Sequence, residues 1–178
     1  MREIKFRAWV NELKLMCIVE RLDIAAGRIC LKHVEFAKIF LSERVGAPIN
    51  DVKLMQYSGF KDKNGKEIYE GDIVEVEAQC IGGRDFKGVV KFYECGFFID
   101  NGEDAIPLFD EVDLRIVMGN IYENPELLEV LNDIRRQEII KGLEDLKDHC
   151  EDMCGEEGDQ WAKDVQILNE AICLIGKI

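Results

Sequence analysis

Few residues of this chain have the types and spacing that catalysis needs. Its 178 residues include no Thr, two Ser (Ser42 and Ser58) and two His (His33 and His149). No Gly-x-Ser-x-Gly elbow occurs, and no Cys–His pair carries a family signature of nucleophilic catalysis. Each histidine therefore reads as a surface or hydrogen-bonded residue rather than a base. His149, Cys150 and Cys154, with Cys173 further on, are zinc-ligand types, but structural zinc uses paired Cys knuckles that are absent here. Cys150 instead shares a helical stripe with Leu146 and Met153, so it reads as a packed thiol. Glu70, Asp72, Glu75 and Glu77 form one acidic group, and Asp100, Glu103 and Asp104 another. Paired carboxylates can hold Mg²⁺ or exchange protons. Among 36 acidic residues such groups also arise by chance, and a solvated strand face is the simpler reading. Gly82-Gly83-Arg84 stands alone and makes no phosphate cradle. The expectation is no catalytic, metal or cofactor-binding residue, and hence no enzyme.

One constellation suits recognition rather than reaction. Tyr57, Lys61, Lys63, Lys66 and Tyr69 bring aromatic and basic side chains together around one predicted hairpin, as in small platforms where bases stack on rings and lysines meet phosphates. The opposing reading packs the rings inward and leaves the lysines to solubilise the tip. Whole-chain charge favours the second. The formal net charge is −13, and phosphate binding needs clustered cations that displace counterions. Nucleic acid and anionic membrane are thus unfavoured partners, and proteins with basic surfaces favoured ones. Seven cysteines, odd in number and unpaired in spacing, fit reduced thiols. No run reaches the ~20 apolar residues of a membrane helix, and the opening residues lack the apolar stretch of a secretory signal. A cytoplasmic setting is expected.

The elements that must position these residues change character near Asn124-Pro125. Residues 1–123 carry 17 basic and 22 acidic side chains, whereas residues 124–178 carry 6 and 14. The first part alternates in short blocks. Ile4, Phe6, Ala8 and Val10 share a period of two, Leu13 to Val19 and Arg28 to Leu31 continue, and residues 34–45 fit helix or strand, ended by Gly46-Ala47-Pro48. Residues 52–60 and Glu67 to Tyr69 flank Asn64-Gly65, a strong hairpin signal because both residues tolerate positive φ. Glu70-Gly71-Asp72 makes a further turn before the alternating run Ile73 to Glu77. Gly82-Gly83 breaks the chain, Gly88 to Tyr93 and Gly96 to Asp100 predict another hairpin, and Asp113 to Met118 with Ile121-Tyr122 close the series. Short strands at this spacing predict a small, strongly bent β-barrel-like domain, closure hiding strand edges.

After Asn124, a cap, and Pro125, a first helical residue, Leu127, Leu131, Ile134, Ile139, Leu143, Leu146, Cys150 and Met153 follow helical spacing, with Gly155 as the stop. Trp161, Val165, Leu168, Ile172 and Ile175 repeat it after Gly158-Asp159. The fold expected is therefore α+β: a β-barrel-like domain over residues 1–123, then an acidic antiparallel helical hairpin over residues 124–178. Its apolar stripe is longer than two helices can cover, which predicts a homo-oligomer through the C-terminal helices.

Three segments carry a resemblance. Met1 to Trp9 (MREIKFRAW), Leu54 to Val74 (LMQYSGFKDKNGKEIYEGDIV) and Val117 to Leu128 (VMGNIYENPELL) are similar to the opening, central and closing signatures of the YopX family, with Gly88-Val89-Val90 resembling the strand between the last two. Val10 departs from the pattern, which has an acidic residue there, and the helical tail exceeds it. The resemblance covers about the first 128 residues. It implies a β-rich fold, a phage or prophage origin and a bacterial cytoplasm; the family carries no known activity. The leading expectation is a non-enzymatic accessory protein that binds or oligomerises, with a host protein as partner. The alternatives are a nucleic-acid-associated regulator, an acidic decoy for a host DNA-binding protein and, last, a carboxylate-metal hydrolase.

Overall fold

Alternation in the first third of the chain builds a sheet whose middle strand is covered on both faces. The computed structural model describes residues 3–33, 44–77, 85–109, 114–152 and 159–176. Strand β1 (Phe6–Val10) pairs antiparallel with β2 (Leu15–Asp23) on one side and β5 (Val52–Lys61) on the other. β3 (Arg28–Lys32) and β4 (Arg44–Pro48) extend the β2 side, and β6 (Glu67–Tyr69) pairs with β5, giving the order β4-β3-β2-β1-β5-β6. Ala8 of β1 enters one core with Cys17, Ile29, Leu31 and Val52. Trp9, one residue on, points to the other face, is also buried, and stacks on Tyr122 with centroids 6.0 Å apart. The period-two strand is therefore present, but its second face is as enclosed as the first.

The second sheet runs β10-β9-β8-β7-β11, from β7 (Asp72–Val76), β8 (Phe86–Tyr93), β9 (Gly96–Asp100), β10 (Ala105–Pro107) and β11 (Arg115–Asn120). Val74, Val76, Val90, Phe97, Ile99, Leu108 and Val117 form its core with Ile68 of β6. Gly71 links the two sheets. Its N–H donates to Val90 O (2.8 Å), and its carbonyl accepts from Ile121 N–H (3.0 Å). Gly71 sits at φ +78, a conformation glycine adopts without penalty.

Neither strand order closes among the described residues, so the β-barrel-like expectation is corrected to two open antiparallel sheets. Edges that closure would have hidden are kept short or capped: β6 and β10 have three residues each, and the outer edge of β11 is occupied by the tip of the β5–β6 hairpin. Three smaller expectations also change. Residues 34–43 lie outside the described residues, and Gly46-Ala47-Pro48 belong to β4 rather than ending an element; Pro48 fits because β4 is an edge strand. Ile121 and Tyr122 form a turn, not a strand. Gly82-Gly83 and Asp113 lie outside the described residues.

Two helices follow, α1 (Pro125–Asp152) and α2 (Asp159–Ile175), with Met153, Cys154, Gly155 and Gly158 outside the described residues. The chain divides into two compact units, Met1–Leu128 and Glu129–Ile178. On α1, Leu127, Leu131 and Leu143 are half-buried and Cys150 buried as the stripe requires, but Ile134, Ile139 and Leu146 are exposed. The apolar positions number more than one face can bury. On α2, Val165, Leu168, Ile172 and Ile175 are half-buried; the side chain of Trp161 lies outside the described residues. The described helices include none long and apolar enough to cross a membrane.

Close strand packing leaves no room for a side chain at Gly88 of the second sheet. A Cβ there would lie 2.7 Å from both the carbonyl carbon and oxygen of Asp100. Backbone, not a yielding side chain, is in the way. Gly88→Ala is expected to lower stability by about 3 kcal/mol, the upper end of overpacking costs, read as a lower urea midpoint.

Candidate functional site

The residues with unusual chemistry gather where β1, β5, β6 and the start of β7 meet. Asp72, 1% exposed at its side chain, accepts from Arg7 Nη2 (2.6 Å) through Oδ1 and from Tyr69 N–H (2.8 Å) through Oδ2. The Arg7 guanidinium lies 4.7 Å from the Tyr69 ring centroid and also reaches Glu70 O at 3.5 Å. Tyr69 donates its hydroxyl to Glu67 (2.7 Å), which also receives Lys5 Nζ (2.7 Å). Lys5 sits 5.5 Å from the ring centroid of Tyr57, and the rings of Tyr57 and Tyr69 meet at 5.3 Å. The result is a chain of alternating cation, ring and carboxylate on β1, β5, β6 and β7.

The electrostatics follow from this order. Burial pushes the Asp72 carboxyl above its ordinary range, with the Arg7 charge and the Tyr69 N–H working against it. Burial, then the hydrogen bond to Glu67, pushes the Tyr69 hydroxyl up to about 12. Glu67 is held low by the hydrogen bonds from Lys5 and Tyr69, and Lys5 is held high by the reciprocal bond. Such a set moves the Tyr69 phenol and the Glu67 carboxyl away from neutral pH, while burial moves the Asp72 carboxyl upward against the pull of Arg7.

The hairpin tip is organised by a residue the sequence reasoning did not single out. Buried Asp62 accepts the N–H groups of Asn64 and Lys66 through Oδ1 (2.8 Å each) and that of Val117 through Oδ2 (3.2 Å). Lys63 N–H donates to Arg115 O at 2.9 Å, so the tip is bound along the edge of β11. Burial pushes the Asp62 carboxyl up, but the three backbone donors together outweigh it and hold it below its usual value. Only Gly65, at φ +83, takes the left-handed conformation expected of both Asn64 and Gly65. Asp62 imposes a different turn, closed by Gly65 N–H to Asp62 O (2.9 Å). The available signal was Asp-x-Asn-Gly, where a short acid at the first turn position accepts from the backbone two residues on.

The five predicted surface residues divide by position. Tyr57 is buried and Tyr69 half-buried, in contact with each other beneath Lys5 and Arg7; Lys61, Lys63 and Lys66 are exposed, and Lys63 pairs with Glu77 (2.7 Å). Of the carboxylate groups, Glu75 pairs with Lys87 (2.8 Å) and Asp100 with Lys91 (3.2 Å), while Asn101 Oδ1 accepts the N–H groups of Glu103 and Asp104. Among the described residues no three His, Cys, Asp or Glu converge on a point where a metal could sit. Cys17 and Cys150 are buried thiols, as expected for Cys150, and burial pushes Cys17 up to about 11; Cys30 is half-buried, and Cys95 and Cys173 are exposed.

In and beside the closing signature, Arg115, Asn120 and Asn124 add further buried or hydrogen-bonded side chains. Arg115, fully buried, lies 5.4 Å from the Phe60 ring centroid and donates to the carbonyl of Leu108. Asn120 accepts from Tyr122 N–H (3.1 Å) and Glu123 N–H (2.9 Å) and donates to the Glu123 carboxylate (2.6 Å). Asn124, placed as the cap of α1, turns its side chain back to accept Asn120 N–H at 3.4 Å, while its carbonyl accepts Leu127 N–H. Thus the three sequence signatures converge on two joints between strands. A family model, described as YopX protein, matches residues 5–129, more than half of the chain. The chain belongs to the YopX family.

Two solved structures are similar to it. The crystal structure of protein EF1440 from Enterococcus faecalis shares 27% identity over 72% of this chain and 99% of its own, with a TM-score of 0.49. The X-ray crystal structure of protein yopX from Bacillus subtilis shares 24% over 70% of this chain and 95% of its own, with a TM-score of 0.46. No curated protein matches. The YopX match ends one residue past the first compact unit, so most of α1 and all of α2 lie beyond it.

Apolar side chains also line surface grooves among the described residues. On the YopX portion, Phe60, Phe92, Phe97 and Phe109 line a groove of about 360 Å³ with Ser58, Gly59, Cys95 and Gly96. On α1, a shallower groove of about 430 Å³ runs over Val130, Ile134 and their polar neighbours.

Proposed function

We propose that this protein is a non-enzymatic phage or prophage accessory protein, a binding and oligomerisation module whose helices do the recognising. Its β-sheet portion is the support, and α1 and α2 present the binding surface. One observation carries the reading: among the described residues, α1 and α2 expose Val130, Ile134, Ile139, Leu146, Ile167 and Leu174, as many large apolar side chains as the much longer β portion exposes. Grouped exposed apolar surface on helices is what helix-in-groove recognition uses. The charged groups beside Tyr57 and Tyr69, by contrast, are occupied with one another in the Lys5–Glu67 and Arg7–Asp72 pairs. Capture of a host protein and self-association through the helices are the two forms such recognition takes, in the cytoplasm of a bacterial host.

The test places a photoreactive residue at Ile134, at Ile167 or at exposed Lys53 of the full chain, expressed in bacteria. Adducts to a second polypeptide are expected at Ile134 and Ile167, whether that polypeptide is a host protein or another copy, and not at Lys53. Equal, background-level adducts at all three positions would falsify the reading.

A further inference from the structure

We infer that Asn101, in the loop between β9 and β10, is a self-modifying site, where the backbone closes a cyclic imide on the side chain and converts the amide to aspartate or isoaspartate. The chain has two Asn-Gly steps, Asn64-Gly65 and Asn101-Gly102. A glycine carries no Cβ, so its nitrogen can approach the carbonyl carbon of the side chain before it. Both glycines are exposed, Gly65 at φ +83 and Gly102 at φ +92. Exposure and backbone conformation therefore do not separate the two steps. Hydrogen bonding does.

Around Asn101 the attacking nitrogen, the proton acceptor and the developing charge are each provided for. Gly102 N–H donates to Asp100 Oδ1 at 2.7 Å, so a carboxylate faces the nucleophile and can take its proton. Lys91 Nζ lies 3.2 Å from the same oxygen and ties the carboxylate to β8. Asn101 Oδ1, where negative charge gathers during attack, accepts the N–H groups of Glu103 (2.9 Å) and Asp104 (2.8 Å). Asn101 N–H donates to Asp104 O at 3.1 Å and holds the loop in this form. At Asn64 the corresponding nitrogen is engaged otherwise. Gly65 N–H donates to the main-chain carbonyl of Asp62 (2.9 Å), which takes up no proton. The Asp62 carboxylate binds the N–H groups of Asn64 and Lys66 on either side of it, and Lys63 N–H fixes the tip to Arg115 O.

The step needs no reagent but water. Gly102 N bonds to Asn101 Cγ, its proton passes to Asp100 Oδ1 and on to the departing Nδ2, and ammonia leaves. Water then opens the imide, at Cγ to give aspartate or at the main-chain carbonyl carbon to give isoaspartate. Either product adds a negative charge beside Asp100, Glu103 and Asp104. Isoaspartate also lengthens the backbone between β9 and β10 by one atom.

The test incubates the full chain at pH 7.4 and 37 °C, folded in buffer and unfolded in urea. Mass spectrometry follows conversion of both Asn-Gly peptides, with isoaspartate resolved by chromatography. In the folded chain Asn101 is expected to convert about tenfold faster than Asn64, and faster than Asn101 does in urea. In urea, where only local sequence acts, the two are expected to convert within about threefold of each other. Asp100→Asn keeps an acceptor for Gly102 N–H but takes up no proton. It is expected to slow Asn101 in the folded chain about fivefold, with the Asn64 rate and the urea midpoint unchanged. The inference is overturned if folded Asn101 converts no faster than Asn64, if it converts no faster folded than in urea, or if Asp100→Asn leaves its rate as it was.

Discussion

Replacing Asp72 by Ala is expected to lower the stability of the β unit by about 3–5 kcal/mol, the usual cost of removing one partner from a buried ion pair. The loss comes from what remains. Arg7, 13% exposed at its side chain, keeps its charge with only a long contact to Glu70 O and the Tyr69 ring. Tyr69 N–H also loses its acceptor. Arg7→Ala should cost a similar amount by stranding the carboxylate. The double change Arg7→Met with Asp72→Leu should recover most of the loss, because two matched apolar groups need no desolvated charge. Urea midpoints of the four proteins, followed by circular dichroism, make the comparison. Additive losses in the double variant would show that the pair is not coupled. The same series bears on the hydrolase alternative: a metal-dependent activity that vanished in Asp72→Ala while the urea midpoint stayed put would assign Asp72 to chemistry rather than to the joint.

Asp62→Ala is expected to cost about 3 kcal/mol, since three backbone donors, one of them on β11, lose one acceptor group together. This cost depends on pH in a defined direction. The Asp62 carboxyl is held below its unfolded value, so its contribution is complete above the ordinary carboxylate range and is lost as pH falls through its folded value. The gap between wild type and variant, full at pH 7, should narrow at pH 3. Glu67, also held low, acts with the same sign. Asp72 acts with the opposite sign: its folded value is raised, so the contribution of its titration is complete at low pH and is lost as pH rises through the folded value. Acid loss of stability is thus expected to come from Asp62 and Glu67. A gap that stayed constant between pH 7 and pH 3 would remove the charge of Asp62 from the account.

Both residues show where sequence reasoning stops. Asp72 was visible as a carboxylate beside Glu75 and Glu77, and the spacing alone made it one of a solvated acidic group. Its partner stands 65 positions earlier, on a strand whose alternation sets Arg7 and Trp9 on the face opposite Phe6, Ala8 and Val10. A period of two tells which side chains share a face; it does not tell whether something covers that face. Asp62 sits in the same hairpin as Asn64 and Gly65. The hairpin itself is readable because Gly65 accepts positive φ. The turn type is not, because it depends on Val117 and Arg115 of β11 arriving at the tip. The helices show the reverse: their extent follows from periodicity and from Pro125 at the first helical position, while the exposure of Ile134 and Leu146 depends on tertiary packing.

By itself, the sequence determined the family, the β-then-α order, most strands, the two helices and the acidic character of the tail. All of these rest on contacts a few residues long or on composition, where propensity, turn chemistry and charge act without help from distant parts. Tertiary structure alone decided that the strands form two open sheets and not a barrel, that Arg7 meets Asp72, that Asp62 binds β11, and which apolar helix residues stay outside. Each of these joins residues far apart in the chain, and burial of a charge or a backbone donor has meaning only once the covering element is in place.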